Sequence, residues 1–181
     1  MRNRSVTDMY AQGSVFKIVT AAAALQENKV TETSRFFCEN GEYRVASHTL
    51  HDHTPHGWLT FREVIELSSN IGTSKVAQLL GPDTLYKYIK SFGFGERTGV
   101  ALPGEISGSI KPPRLWSKVS IACVPMGQEV GVTCLQLAVS TAAIANGGTL
   151  VRPYILKEIC DKSGETVKAF PAQLVRQVIS E

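Results

Sequence analysis

Ser14-Val15-Phe16-Lys17 places a hydroxyl and an amine three residues apart. On a helix that spacing puts both on one face, so Lys17 reaches the Ser14 oxygen. A serine hydroxyl is a poor nucleophile at neutral pH and needs a base to take its proton. Burial lowers a lysine pKa until the amine can serve as that base. A helix N-terminus adds free N–H groups and a positive dipole end, both favourable to a developing oxyanion. The chemistry on offer is acyl transfer through a serine ester. The tetrapeptide alone is weak evidence. With fifteen serines and ten lysines in 181 residues, chance supplies about one such pair, and an N-cap serine followed by a surface lysine reads the same way.

Ser68-Ser69-Asn70 is a second element, of the form S-x-N. A hydroxyl and a carboxamide held on a rigid helix break can hydrogen-bond the lysine and a substrate amide. A simple helix-breaking turn has the same composition, but its place after S-x-x-K suits the serine acyl-transferase set.

These residues need elements to hold them. The first predicted helix begins near Ser14, after a tight turn at Gly13, with Val15, Ile18, Val19, Ala22 and Leu25 at helical spacing. A second begins at the Thr60–Glu63 capping box and breaks at Ser68-Ser69-Asn70. A third runs from about Ile71 to Leu80 and stops at Gly81. Asp83 is expected to cap a short fourth, closed by Gly93. A fifth follows the Thr133–Gln136 box and ends at Asn146-Gly147-Gly148. Tyr154 to Ile159 and Glu165 to Val167 read as a hairpin around Lys162-Ser163-Gly164. Strand signal is otherwise thin.

The stretch Arg2 to Tyr10 running into Gly13-Ser14-Val15-Phe16-Lys17-Ile18 resembles the acylation-site region of class B penicillin-binding proteins. So do His51-Asp52-His53-Thr54-Pro55-His56-Gly57-Trp58-Leu59-Thr60 leading to Ser68-Ser69-Asn70-Ile71-Gly72, and Phe92-Gly93-Phe94-Gly95. Thr98-Gly99, Leu102-Pro103-Gly104-Glu105, Met126-Gly127-Gln128 and Ala145-Asn146-Gly147-Gly148 continue the pattern in order, over nearly the whole chain.

The resemblance implies an α+β fold of the β-lactamase/transpeptidase kind, here mainly its helical part with little of the central antiparallel sheet. It implies a D,D-transpeptidase that cross-links peptidoglycan stem peptides and is acylated by β-lactam antibiotics. Ser14 is then the nucleophile and Lys17 the base. Ser68 and Asn70 orient the lysine and move protons, and Ser69 and Gln128 are the candidate substrate-binding residues. No cofactor is implied. The family further implies a membrane-anchored parent on the outer face of the bacterial cytoplasmic membrane, associated with a glycan polymerase.

Three features depart from the family pattern. Its third motif is Lys-Thr-Gly or Lys-Ser-Gly on a strand beside the site. Lys162-Ser163-Gly164 fits in letters, but Cys160 to Thr166 reads as the polar turn of a hairpin. Residues 1–181 are therefore expected to be a partial transpeptidase domain, truncated at both ends, with little activity of its own. Ala11-Gln12 stands where the family often has Glu-Pro, which loosens the approach to Ser14 and removes no catalytic group.

Composition narrows the rest. Hydrophobic residues at 43% and charged residues at 19% are those of an ordinary globular protein, not a disordered one. Nineteen basic residues against sixteen acidic ones, spread along the chain, do not make a nucleic-acid surface. No apolar run approaches membrane-spanning length, and Ser5, Thr7 and Asp8 interrupt any signal peptide after the basic opening. Cys38, Cys123, Cys134 and Cys160 form no C-x-x-C pair and are open to reading as thiols or as disulfides. His48, His51, His53 and His56 have a spacing that could ligate zinc, but Pro55 and Gly57 make the segment a turn-rich loop. The competing functions are a serine β-lactamase or β-lactam sensor, a metal-binding module on that histidine loop, and a non-catalytic relic.

Overall fold

The computed structural model describes residues 2–180. A short helix α1 (Arg4–Thr7) is capped by the Asn3 side chain, which accepts from the Ser5 N–H. The chain then enters a single 3-10 turn, Gly13–Phe16, which passes directly into α2 (Lys17–Gln26). The helix expected from Ser14 is thus present, with a tighter first turn. Val19, Thr20, Ala23 and Ala24 are buried, and α2 packs against several of the elements that follow. The small residues let neighbouring helices approach it closely.

Four short strands come next: β1 (Arg35–Phe37), β2 (Glu42–Val45), β3 (His48–His51) and β4 (Trp58–Thr60). β1 pairs with β4 and β2 with β3, both antiparallel. Helix α3 (Phe61–Glu66) opens on the expected capping box. Thr60 Oγ1 accepts the Glu63 N–H, and the Glu63 carboxylate accepts the Thr60 N–H. Helix α4 (Asn70–Leu80) follows the Ser68-Ser69 break and ends at Gly81. Helix α5 (Pro82–Ser91) corrects one expectation. It starts at Pro82 with Gly81 in the cap position, and Asp83 lies inside the first turn instead of capping it. Proline suits this position because its missing N–H is one of the orphans there.

The second half holds β5 (Ser109–Ile110), α6 (Ser120–Cys123), β6 (Val130–Gly131) and α7 (Cys134–Ala145). The Thr133–Gln136 box opens α7 as expected. β7 (Thr149–Arg152) leads to the exposed hairpin of β8 (Glu158–Cys160) and β9 (Thr166–Ala169), and β10 (Gln173–Gln177) returns to pair with β7. The hairpin lies close to where the sequence puts it. Strands β1 to β7 and β10 lie outside that hairpin, where the sequence carries little strand signal. These strands are two to five residues long, too short for a period of two to emerge from sequence. Each pairs with one partner, so the described residues form five two-stranded antiparallel ribbons around a helical core.

The core joins α2 to α5 with Phe92, Phe94, Val124, Met126 and Val132. On the opposite side of α2, an open apolar groove of about 520 Å³ is lined by Ile18, Ala21, Leu25, Ile65, Ile144 and Ile179. Among the described residues no sheet of more than two strands covers it.

Helices α3 and α4 meet at Gly72. A Cβ there would lie 2.5 Å from Val64 Cγ2 and 2.7 Å from Cγ1, and Val64 is fully buried. Gly72→Ala gains helix propensity but forces the two helices apart. The expected net result is destabilisation of about 1–3 kcal/mol, measured by urea unfolding of the variant beside the parent.

Candidate active site

Ser14 and Lys17 are brought into different environments one turn apart. Ser14 is exposed at the start of the 3-10 turn, behind Gly13 at φ 61°. Space is not the reason for glycine here, because a Cβ at Gly13 would meet nothing within 4 Å; the left-handed backbone is. Lys17 is 2% exposed. Its Nζ donates to Ser68 Oγ at 2.9 Å and to the Ser68 carbonyl oxygen.

Burial pushes the Lys17 amine down from 10.5 to about 8, against the opposing pull of the Asp52 charge. An unfolded chain holds this proton up to its ordinary value, so between about 8 and 10.5 the unfolded state binds more protons and stability rises with pH. Below pH 8 the buried charge costs the fold its full share, about 3 kcal/mol.

The Ser68-Ser69-Asn70 break is built by two helix ends. At the end of α3, Ser68 N–H donates to Ile65 O and Ser69 N–H to Val64 O. This is the Schellman arrangement, whose left-handed position usually carries glycine. Ser68 occupies it at φ 57°. A serine there costs about 1–2 kcal/mol of backbone strain, and its hydroxyl is what meets Lys17. At the start of α4, Ser69 Oγ accepts the Gly72 N–H at 2.9 Å and donates to Asp52 at 2.6 Å. Ser69, expected to bind substrate, is 1% exposed, and its side chain is bound to Asp52 and the α4 N-terminus. Asn70 is half-buried, with Nδ2 donating to the His51 carbonyl at 2.8 Å.

Asp52 is the residue whose role sequence reasoning missed. It follows β3, and its carboxylate accepts from Ser69 Oγ and from the N–H groups of Asn70 and Ile71. A carboxylate at the N-terminus of an eleven-residue helix meets both orphan donors and the positive dipole end. The available signal was position: an acidic residue between two histidines in a loop leading back to S-x-N.

The other motifs act as supports. Phe94 of Phe92-Gly93-Phe94-Gly95 packs on Phe16, ring centroids 5.0 Å apart. Glu105 accepts from Thr98 N–H at 2.7 Å and Gly99 N–H at 3.1 Å, joining two of the sequence segments in one turn. Gln136 Nε2 ties that loop to α7 through the Glu96 and Ser107 carbonyls. Asn146 closes the Ala145-Asn146-Gly147-Gly148 turn on Thr149. Gln128 is exposed, next to a Gly127 whose backbone abuts Gly13.

Lys162-Ser163-Gly164 forms the tip of the β8–β9 hairpin. Asp161 accepts from the N–H groups of Ser163 and Glu165, as a polar turn does. His48, His51 and His53 are exposed, and among the described residues no three His, Cys, Asp or Glu side chains are grouped to hold a metal. All four cysteines are free thiols, Cys38 and Cys123 buried, Cys134 and Cys160 exposed.

Residues 1–181 match the family model described as penicillin binding protein transpeptidase domain. The chain is 41% identical over 183 residues to stage V sporulation protein D of Bacillus subtilis, covering 99% of this chain and 28% of that protein. It is 34% identical over 179 residues to peptidoglycan D,D-transpeptidase FtsI of Escherichia coli, covering 99% of this chain and 30% of FtsI. It therefore spans less than a third of these relatives. Penicillin-binding protein 3 of Mycobacterium tuberculosis, solved in complex with ampicillin, superposes with a TM-score of 0.89 at 34% identity, over 98% of this chain and 39% of that one.

The buried amine generates a stability prediction. Lys17→Met removes the desolvated charge and keeps the volume, so the unfolding free energy at pH 7 is expected to rise by about 1–3 kcal/mol. The gain shrinks as pH rises from 8 towards 10.5. Unfolding curves across that range check both the sign and the trend.

Proposed function

Because the chain belongs to the penicillin-binding protein transpeptidase family, we propose that Ser14 is the acylated nucleophile of a peptidoglycan D,D-transpeptidase and Lys17 its general base. One observation carries the assignment. A buried amine with its pKa lowered to about 8 sits one helical turn from an exposed serine and is bound to the hydroxyl of S-x-N.

The chemistry follows from these groups. Neutral Lys17 Nζ takes the Ser14 proton as Oγ attacks the carbonyl carbon of the D-Ala–D-Ala amide. The proton passes through the Ser68 hydroxyl to the leaving amine, and D-alanine departs. An amine of a second stem peptide then attacks the Ser14 ester, returning the proton to the site and leaving a new amide cross-link. A β-lactam ring opens on the same oxygen. Its leaving nitrogen remains tethered, so the ester persists. Asn70 contacts the substrate amide.

The outer face of the cytoplasmic membrane, where peptidoglycan is cross-linked, is the proposed place of action, with a glycan polymerase as partner of the whole protein. Among the described residues no helix is long and apolar enough to cross a membrane.

The Lys162-Ser163-Gly164 turn does not supply the third motif, because it is a hairpin tip and not a strand beside Ser14. The 181 residues by themselves are therefore expected to acylate slowly, by about a hundred- to a thousand-fold if one oxyanion donor is wanting.

Intact mass after incubation with a penicillin tests the assignment. One adduct per chain is expected, absent in Ser14→Ala. Its formation rate should rise about tenfold per pH unit up to about 8, where Lys17 becomes neutral, and then level off. An adduct that survives Ser14→Ala, or a rate flat from pH 6 to 9, overturns it.

A further inference from the structure

The run from Tyr10 into Ser14 is clamped at two points. At its start, Tyr10 N–H donates to Val132 O at 3.1 Å and Val132 N–H donates back to Tyr10 O at 3.2 Å. At its end, Gly13 lies against Gly127, where an added Cβ would stand 2.4 Å from Gly13 O and 2.7 Å from Gly13 N. Both clamps belong to one short segment, 127–132, so its shape sets the distance between them. From Val130 onward that segment is held by pairing with β5. On the other side, Gly127 N–H donates to Val124 O and Gln128 N–H to Cys123 O.

The joint between the two halves is Glu129. Its φ is 58°, a left-handed conformation that a long acidic side chain disfavours. Such a conformation persists when its surroundings impose it, and it collects at functional sites. Glu129 is exposed, but its side chain is anchored. Ser120, 1% exposed in α6, donates its hydroxyl to Glu129 Oε2 at 2.7 Å, and that hydroxyl is itself oriented by the Ser117 N–H at 3.0 Å. Of the six non-glycine residues with positive φ among those described, Ser68 is bound by Lys17 and Glu129 lies two residues beyond the Gly127 that abuts Gly13.

We propose that Glu129 is a positioning residue for Ser14: anchored by Ser120, it holds the Gly127 turn against Gly13 and so sets where the acylation helix begins. The role rests on the reading of Ser14 as nucleophile, and it adds a residue that acts through the Gly127 turn and not on Lys17. A plain turn would be served as well by glycine at this φ. An acid that reaches back to a buried serine fixes the turn as well as forming it.

Three variants separate positioning from simple turn closure: Glu129→Gly, Glu129→Gln and Ser120→Ala. Two readouts are taken on each. One is the amide resonances of Gly13 and Ser14 in the folded chain. The other is penicillin acylation, split into the binding constant and the acylation step, with Tm measured alongside. Glu129→Gly relieves the backbone and frees the turn. The expected result is displaced Gly13 and Ser14 amides, an acylation step slower by about tenfold or more, an unchanged binding constant and an undiminished Tm. Glu129→Gln keeps the acceptor for Ser120 and restores both readouts, and Ser120→Ala reproduces the glycine variant in part. Gly13 and Ser14 amides that stay in place in Glu129→Gly overturn the proposal, as does a loss of acylation that Glu129→Gln shares. The amide readout does not require Ser14 to be acylated. If the adduct proves to sit elsewhere, the nucleophile assignment fails while the link from Glu129 to Gly13 is still decided.

Discussion

The arrangement around Ser14 depends on the burial of one amine. Lys17 lies within the helical core, and its hydrogen bonds go to Ser68, which the end of α3 holds in a left-handed backbone. Both sides of this contact are costly. The lysine is desolvated and the serine is strained, yet together they bring S-x-x-K and S-x-N into register. Structure that costs stability without packing better is characteristic of a site held ready for chemistry. Much of the remaining molecule can be understood as the support for that contact.

The supports come from two directions. From one, β3 ends at Asp52, whose carboxylate gathers Ser69, Asn70 and Ile71 at the start of α4. The same negative charge opposes the fall in the Lys17 pKa, so one side chain sets both the geometry of S-x-N and part of the electrostatics of Lys17. From the other, Phe94 packs at a tilt against Phe16 and the 127–132 segment closes on Tyr10 to Gly13. Polar capping fixes one motif and backbone contact with aromatic packing fixes the other. The site is thus not a property of either motif.

The open groove along α2 belongs to the same picture. Ile18, Ala21 and Leu25 lie on the helix that carries Lys17, and their apolar surface faces solvent here. Burying such surface is worth roughly 25 cal/mol per Å². Helix α2 is therefore well held on its Ser68 side and open on the opposite side, which ties its stability to whatever area of that groove becomes covered.

Local signals made much of this legible. The capping boxes at Thr60 and Thr133 use side chains within three residues, so they mark α3 and α7 in the sequence as they do in space. Gly81 and the Ser68 break announce helix ends for the same reason, and the polar hairpin tip at Lys162-Ser163-Gly164 is a local turn. Motif order along the chain pointed to the family. What the sequence could not carry were interactions between residues far apart in it. That Ser69 faces inward, that Asp52 is its partner, that Lys17 is buried while Ser14 is not, and that Gly127 backs onto Gly13 all follow from how separate elements pack. The short strands escaped for the same reason, since a two-residue strand such as β5 exists only through its partner β6. Spacing along the chain determines which side chains share a helix face; only tertiary packing decides which of them lose water, and that loss is what lowers the Lys17 pKa.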